Sequence, residues 1–261
     1  MGKAFQIICL IIFLLTSSTS APAKYAGVQS FFDDSLSVEA KAKTNIHLPF
    51  DNLLKKYVST DGKVNYQGFL KEKTKLQAYI KSLQNININK LGKNEQLAFW
   101  INVYNAATID QILRNFPLKS IKNIANGKVW DKNLSYKFNG KVLSLNDIEH
   151  GKLLQTFNDP RIHFAINCAA KSCPKLNNRA FSAQNVQQML NANTTAFLSN
   201  TDQNIITKDK VKLSQIFNWF KEDFTKGGSS VTAFVNKFSK QKIDDKQNIS
   251  FLDYDWDLNG K

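Results

Sequence analysis

Apolar side chains recur at intervals of three and four residues over much of this chain. Phe50, Leu53, Leu54 and Tyr57 share this spacing ahead of a turn signal at 60–62. Such spacing is typical of helices with one buried face. The same pattern predicts helices over 50–57, 66–83, 94–113, 144–153, 182–198, 214–220 and 231–238.

Short β-branched or alternating runs lie between these helices. Asn139-Gly140 is a two-residue hairpin signal between strands predicted at 136–138 and 141–143. Further strands are predicted at 129–132, 161–167, 205–207, 211–213, 249–252 and 254–256. Because helices and hairpin-like strands mix without a repeating strand–helix unit, the pattern indicates an α+β fold. We expect a single globular domain with a buried central helix packed on a small, largely antiparallel sheet.

The helix predicted over 94–113 is apolar almost all round, which is typical of a central helix. Glu95, Asn102 and Asn105 fall within about a quarter turn of one another. A buried amide without hydrogen bonds costs about 1–3 kcal/mol, so these side chains need partners, which either a structural network or a ligand site would supply. The other polar positions are scattered and are expected to be solvated: Gln96, Asp110 and Gln111.

The chain opens with the layout of a cleavable secretory signal peptide. Lys3 precedes an apolar run over 4–15, and small residues lead to an expected cleavage after Ala23. The run is shorter than the roughly 20 residues that span a bilayer, so no membrane span is expected after cleavage. We therefore expect a signal peptide at 1–23, a flexible arm at 24–45 and one domain at 46–261, in a periplasmic or secreted protein.

The charge balance is strongly basic. The formal net charge is +14, with 35 Lys and Arg against 21 Asp and Glu. The basic residues are mostly dispersed lysines, whereas arginine, which recognises phosphate bidentately, occurs only at Arg114, Arg161 and Arg179. The composition therefore argues against nucleic-acid binding and favours solubility and weak attraction to anionic envelope polymers.

The segment RIHFAINCAAKSCP, at 161–174, concentrates the reactive residue types. It holds one histidine and the only two cysteines that follow the expected signal peptide, Cys168 and Cys173. As a strand, it would place Arg161, His163, Ala165 and Asn167 on one face. The alternating apolar residues Ile162, Phe164 and Ile166 would lie on the other face.

Three chemistries remain open for the two cysteines. In an exported protein they would form a disulfide. Alternatively, Cys173 would be a nucleophile at a helical turn begun by Pro174, with His163 or His150 as base and Asn102, Asn105 or Asn167 as orienting groups. The third possibility is a metal site built from His163, Cys168 and Cys173, whose spacings match no common zinc pattern. We therefore assign no metal and no cofactor.

Two smaller motifs have open roles. Glu149-His150 would be an acid–base pair, or these side chains would cap a helix or form salt bridges. Tyr254-Asp255-Trp256 is expected to be structural, because tryptophan usually anchors a core. His47 is given no role.

Four ordered motifs, AFWINVYNA (98–106), LSLNDIEHG (143–151), DPRIHFAINCAAKSCP (159–174) and DYDWDLN (253–259), resemble the domain-of-unknown-function 547 family. The resemblance runs from about Asp51 to Asn259 and supplies no activity. The chain departs from the family at 153–155, where a basic residue is expected after IEHG. The resemblance implies a characteristic residue set: Asn102, Tyr104, Asn105, Glu149, His150, Arg161, His163, Cys168 and Cys173.

These observations support two functional hypotheses. The first is a thiol-dependent hydrolase or acyl transferase acting on peptide or cell-envelope material. Its catalytic residues would be Cys173, His163, His150, Asn102 and Glu149. Its substrate contacts would be Asn105, Tyr104, Arg161 and Asn167. The second is a non-catalytic envelope module that binds a small molecule, peptide or polymer, with Cys168 and Cys173 as a structural disulfide. The sequence leaves the oligomeric state open.

Overall fold

Helices provide the framework of the protein, which the computed structural model describes over residues 45–261. The expected signal peptide and nearly all of the expected arm lie outside these residues. The α-helices of the described part are α1 (Leu48–Tyr57), α2 (Tyr66–Leu70), α3 (Lys73–Leu83), α4 (Lys93–Asn115), α5 (Gln155–Phe157), α6 (Val186–Ser199), α7 (Ile216–Trp219), α8 (Lys221–Thr225) and α9 (Val231–Phe238). A π-helix covers Asp147–Leu154, and 3-10 turns cover Ile88–Lys90, Ile121–Gly127, Pro160–Phe164 and Lys226–Gly228.

Most helix predictions are confirmed, and one predicted helix is divided into two. The helix expected over 66–83 is two helices, α2 and α3, separated at Lys71 and Glu72. Asn65 caps α2, since its side chain accepts a 2.7 Å hydrogen bond from the amide of Gly68.

The strands are short and form two sheets. β1 (Lys137–Phe138) pairs antiparallel with β2 (Lys141–Val142) across the predicted Asn139-Gly140 turn, whose residues both have positive φ. In the second sheet, β4 (Val211–Leu213) lies between antiparallel β3 (Ile205–Ile206) and parallel β5 (Ile249–Phe251). The α+β fold class is confirmed.

Three predicted strands are wrong. Residues 129–132 form a turn, and 254–256 are irregular. The segment from Arg161 begins instead as the 3-10 turn Pro160–Phe164. Asp159 accepts a 3.0 Å hydrogen bond from the amide of Arg161, and proline follows it directly, so the local sequence starts a helical turn despite its alternating pattern.

The central helix α4 is buried along most of its length. It packs most extensively against α3 and the π-helix, and every residue from Leu97 to Leu113 is buried. The prediction that Asp110 and Gln111 are solvated is therefore wrong. Asp110 is paired with Arg114 at 2.6 Å and accepts hydrogen bonds from Gln77 and Tyr136.

Glu95, in contrast, is exposed rather than part of a buried polar face. Its carboxylate accepts a 2.7 Å hydrogen bond from the amide of Gly92 and so caps the start of α4.

The buried side chains form two clusters. The larger surrounds α4, and the smaller contains Phe164, Phe197, Phe217 and Phe224 beside the three-stranded sheet. Phe164 belongs to the second cluster, whereas Ile162 and Ala165 on either side of it belong to the first. The 3-10 turn therefore joins the two clusters.

No helix within residues 45–261 combines the length and apolar character needed to cross a bilayer.

Candidate functional site

A cavity of about 180 Å³ brings together several of the residue types singled out from the sequence. It opens to solvent and is bordered by parts of α4, the π-helix, α7, the segment from His163 to Pro174 and the segment 254–256. The lining residues are Tyr104, Trp130, Asn146, Glu149, His150, His163, Ile166, Cys168, Cys173, Pro174, Ile216, Trp219, Phe220, Tyr254 and Trp256. Six of the predicted site residues therefore share one space: Tyr104, Glu149, His150, His163, Cys168 and Cys173.

The π-helix places Glu149 and His150 together on the cavity wall. Ser144 and Asp147 fix the start of this element, because the Asp147 carboxylate accepts hydrogen bonds from both the amide and the hydroxyl of Ser144. Short π-helical segments are frequent at functional sites. Glu149 is buried, whereas His150 is exposed.

His163 is held by an acidic partner that the sequence did not reveal. Its Nε2 donates a 2.9 Å hydrogen bond to Oδ2 of Asp223, which follows it by sixty residues. This hydrogen bond, opposed by partial burial and supported by Lys226, lowers the pKa of Asp223 to about 2. The imidazole also packs on the ring of Phe220, with centroids 4.3 Å apart. His163 thus has a fixed orientation in the cavity wall.

Cys168 and Cys173 form a disulfide, with Cα atoms 6.1 Å apart, so the disulfide prediction is confirmed. The amide of Cys168 donates a 2.8 Å hydrogen bond to Sγ of Cys173, and Sγ of Cys168 lies 3.3 Å from the hydroxyl of Tyr254. Pro174 begins no helical turn, which corrects the expected helical environment of Cys173.

The three predicted site amides bond to the backbone and lie outside this cavity. Asn102 bonds both the amide and the carbonyl of Phe181, at 3.0 and 2.8 Å. Asn105 donates to the carbonyl of Ala165 and accepts from the amide of Asn167. These contacts supply the structural network that the sequence left as one alternative.

The residues from Cys168 to Cys173 form the disulfide loop, and Asn167, directly before it, bonds to backbone groups in and after this loop. Its side chain donates to the carbonyl of Pro174 at 2.7 Å and accepts from the amide of Ala169 at 2.9 Å. Its oxygen also accepts a hydrogen bond from Asn259. The central helix therefore positions the disulfide loop through Asn105 and Asn167, without exposing either amide to the cavity.

Arg161 lies away from the cavity and makes a local ion pair with Asp159. It also donates hydrogen bonds to Gln187 and Asn191 of α6, so it ties the 3-10 turn to that helix.

Most of the cavity-wall residues that the sequence analysis did not assign to a site are aromatic. Trp219 and Phe220 were predicted only as helix residues, and Tyr254 and Trp256 only as packing residues. Their rings touch: the centroids of Tyr254 and Trp256 are 4.6 Å apart, and those of Trp219 and Tyr254 are 4.8 Å apart. Three of the four tryptophans of the chain line the cavity. The DYDWDLN motif at 253–259, which contains Tyr254 and Trp256, was the sequence signal that could have identified part of this wall.

A larger groove, of about 1450 Å³, also borders the loop closed by the Cys168–Cys173 disulfide. Cys173 and Pro174 line both spaces, and Asn167 lines the groove. Within the described residues, no three His, Cys, Asp or Glu side chains are grouped as a metal-binding set.

Comparison with known proteins gives one match. The family model described as "Protein of unknown function, DUF547" matches residues 88–198. This region contains the motifs at 98–106, 143–151 and 159–174, whereas the motif at 253–259 lies outside it. Searches of curated proteins and of solved structures find no match. The resemblance to the DUF547 family is thus confirmed over residues 88–198, a stretch that contains α4, the π-helix and the disulfide loop.

Proposed function

We propose that this protein is an exported, non-catalytic module that binds a small ligand in the cavity beside the Cys168–Cys173 disulfide. The observation that carries the proposal is the cavity wall, which combines six aromatic rings with a few polar side chains. Concave, mainly apolar sites with a small number of placed polar groups are typical of ligand binding.

The size of the cavity limits the ligand. Its volume corresponds to about six water molecules at ~30 Å³ each. The ligand is therefore a small molecule or an end group of a peptide or envelope polymer.

Export is supported by two features. Residues 1–23 have the layout of a secretory signal peptide. The disulfide between Cys168 and Cys173 is of a kind that persists in oxidising compartments.

Ligand binding is tested with a panel of small amines, sugars, carboxylates and alcohols, followed by ligand-observed NMR and tryptophan fluorescence. We expect at least one compound to bind and to change the fluorescence, because three tryptophans line the cavity. Trp219→Ala should weaken that binding about tenfold by removing a large aromatic contact. Leu48→Ala is the matched control, because Leu48 is 47 % exposed and Trp219 is 48 % exposed. The absence of any bound compound would contradict the proposal.

A second candidate is thiol-dependent acyl or amide chemistry after reduction of the disulfide. The observation in its favour is that the hydrogen-bonded pair His163–Asp223 and both sulfurs meet at one cavity. Once a dithiol has reduced the bond, His163 would accept the proton of Cys173, and Asp223 would orient the imidazole. The disulfide as it stands offers no thiolate.

Iodoacetamide labelling separates the two candidates. Thiol chemistry requires that the reduced protein be alkylated rapidly at Cys173 near neutral pH and that Asp223→Asn slow the reaction. Ordinary thiol reactivity in the reduced protein, unchanged by Asp223→Asn, would exclude it.

A further inference from the structure

The charge on the cavity wall is opposite to that of the whole chain. The sequence has 35 Lys and Arg residues, yet none of those in the described part lines the cavity. The wall has one carboxylate, that of Glu149, which is 7 % exposed. Although the protein is basic, no Lys or Arg side chain of the described part therefore lines the cavity that contains the buried Glu149 carboxylate.

Glu149 is close enough to two tyrosines of the wall, Tyr104 and Tyr254, to affect both hydroxyls. Burial, and next the charge of Glu149, raise the pKa of Tyr104 well above its ordinary value. Burial and the same carboxylate also raise the pKa of Tyr254. Glu149 makes no ion pair with any residue of the described part. A buried carboxylate without a cationic partner is costly, and a ligand that supplies the positive charge removes that cost.

The two histidines of the wall are poor partners for Glu149. Nε2 of His163 is hydrogen-bonded to Oδ2 of Asp223, so this ring is already engaged by another carboxylate. His150 is exposed, and water is available to solvate its ring.

The aromatic part of the wall suits a cation as well. A positively charged group near the face of tryptophan or tyrosine gains cation–π attraction, which is strongest when water is excluded. The ring of Trp256 already has one such contact outside the cavity, because Nζ of Lys122 lies 4.9 Å from its centroid. Trp130, Trp219 and Tyr254 complete a continuous aromatic surface with Trp256.

We infer that the cavity receives the ammonium group of a small organic cation, with Glu149 as its counter-ion and the surrounding tryptophan and tyrosine rings as its walls. This inference rests on the proposed ligand-binding function and names the ligand class for it. The cavity has room for about six non-hydrogen atoms if each takes the volume of a water molecule at ~30 Å³, which is close to the size of a small quaternary ammonium alcohol.

The test compares choline with 3,3-dimethylbutan-1-ol, which has the same shape but carbon in place of the charged nitrogen. Calorimetric or NMR titration of the wild-type mature protein should show that choline binds about tenfold more tightly or better. Glu149→Gln should remove this preference and leave the alcohol's affinity nearly unchanged. Glu222→Gln is the control, because Glu222 is exposed and lies outside the cavity wall.

The wild-type comparison decides the inference even if Glu149→Gln fails to fold. Equal affinities, or a preference for the neutral alcohol, would overturn the cation assignment while leaving the ligand-binding function intact. If neither compound binds but another member of the panel does, only the cation assignment fails. If nothing in the panel binds, the proposed function fails with it.

Discussion

At the scale of single residues, the amides of α4 show how a buried polar side chain can resemble a catalytic group. Asn102 and Asn105 occupy the family motif at 98–106, and both are buried. Their hydrogen bonds nevertheless go to backbone groups of other segments. A side chain that bonds both a backbone donor and a backbone acceptor of a distant segment fixes that segment in place.

Asn102→Ala should therefore reduce stability without acting on the cavity. The change leaves the amide and carbonyl of Phe181 without their partner, and we expect the free energy of unfolding to fall by about 2–4 kcal/mol in chemical denaturation. Asn133→Ala, at an exposed asparagine, should change it by less than about 0.5 kcal/mol. A loss of ligand binding with unchanged stability would assign Asn102 to the site instead.

His47 is a second residue whose role is visible only in the structure. It is 4 % exposed, lies at the start of α1 and is hydrogen-bonded to the Tyr79 hydroxyl at 2.7 Å. Burial lowers its pKa to about 4, so it is neutral in the folded protein where an unfolded chain would be protonated.

This difference predicts a pH dependence of stability. Between pH 6.5 and 4 the unfolded state binds the proton, so stability falls as the pH falls through this window. From pH 8 to pH 5 the loss attributable to His47 is about 2 kcal/mol. Urea unfolding of His47→Gln should show a smaller loss over this range than the wild type. His150→Gln, at an exposed histidine, should retain the wild-type pH dependence, and identical slopes for all three proteins would refute the assignment.

At the scale of elements, the disulfide loop is held from three sides. The Cys168–Cys173 bond closes it, Asn105 and Asn167 attach it to α4, and the segment 255–259 pairs with it through backbone hydrogen bonds. Ala169 within the loop has a φ of 62°, in the left-handed region that non-glycine residues adopt only when their surroundings impose it. The loop is thus a rigid wall of the cavity.

Replacing both cysteines by serine should weaken the protein moderately and leave it folded. A loop this short contributes about 2 kcal/mol through reduced entropy of the unfolded chain, and the other two attachments remain. Denaturation with and without a reductant provides the measurement. The wild type should lose this stability on reduction, whereas the double variant should not respond to reductant. Complete unfolding of the double variant would mean that the bond alone holds the loop.

Sequence reasoning succeeded for elements whose signal is local. Helices α1, α4 and α9, the Asn139-Gly140 hairpin and the disulfide all follow from spacing, turn chemistry or cysteine count. The alternation of Ile162, Phe164 and Ile166 was misleading, because residues 162–167 are all buried and no solvated face exists to define a period. Asp223 and the aromatic wall could not be predicted, since their positions depend on contacts between segments far apart in sequence.

At the scale of the whole molecule, two hydrophobic clusters share one short turn. Phe164 inserts among Phe197, Phe217 and Phe224, with ring centroids 5.0–6.1 Å away, while its neighbours in sequence pack in the larger cluster. His163, from the same turn, faces the cavity. The turn therefore couples the two clusters to the site.

Phe164→Ala should lower the free energy of unfolding by about 3–5 kcal/mol and separate the two clusters. Native-state hydrogen exchange provides the readout. In the wild type, the slowest amides of α4 and α9 should open together, whereas in the variant those of α9 should open first. Phe197→Ala, which removes a ring of the same smaller cluster outside the connecting turn, is the control and should lower stability with less separation. Joint opening in Phe164→Ala would show that other contacts couple the clusters.

The disulfide loop borders two different spaces, since Cys173 and Pro174 line both the small cavity and the large groove. A ligand in the cavity and a ligand in the groove are thermodynamically linked whenever the binding of either one shifts this shared loop. A polymer in the groove that changes the affinity of the cavity by some factor must have its own affinity changed by the same factor when the cavity is filled.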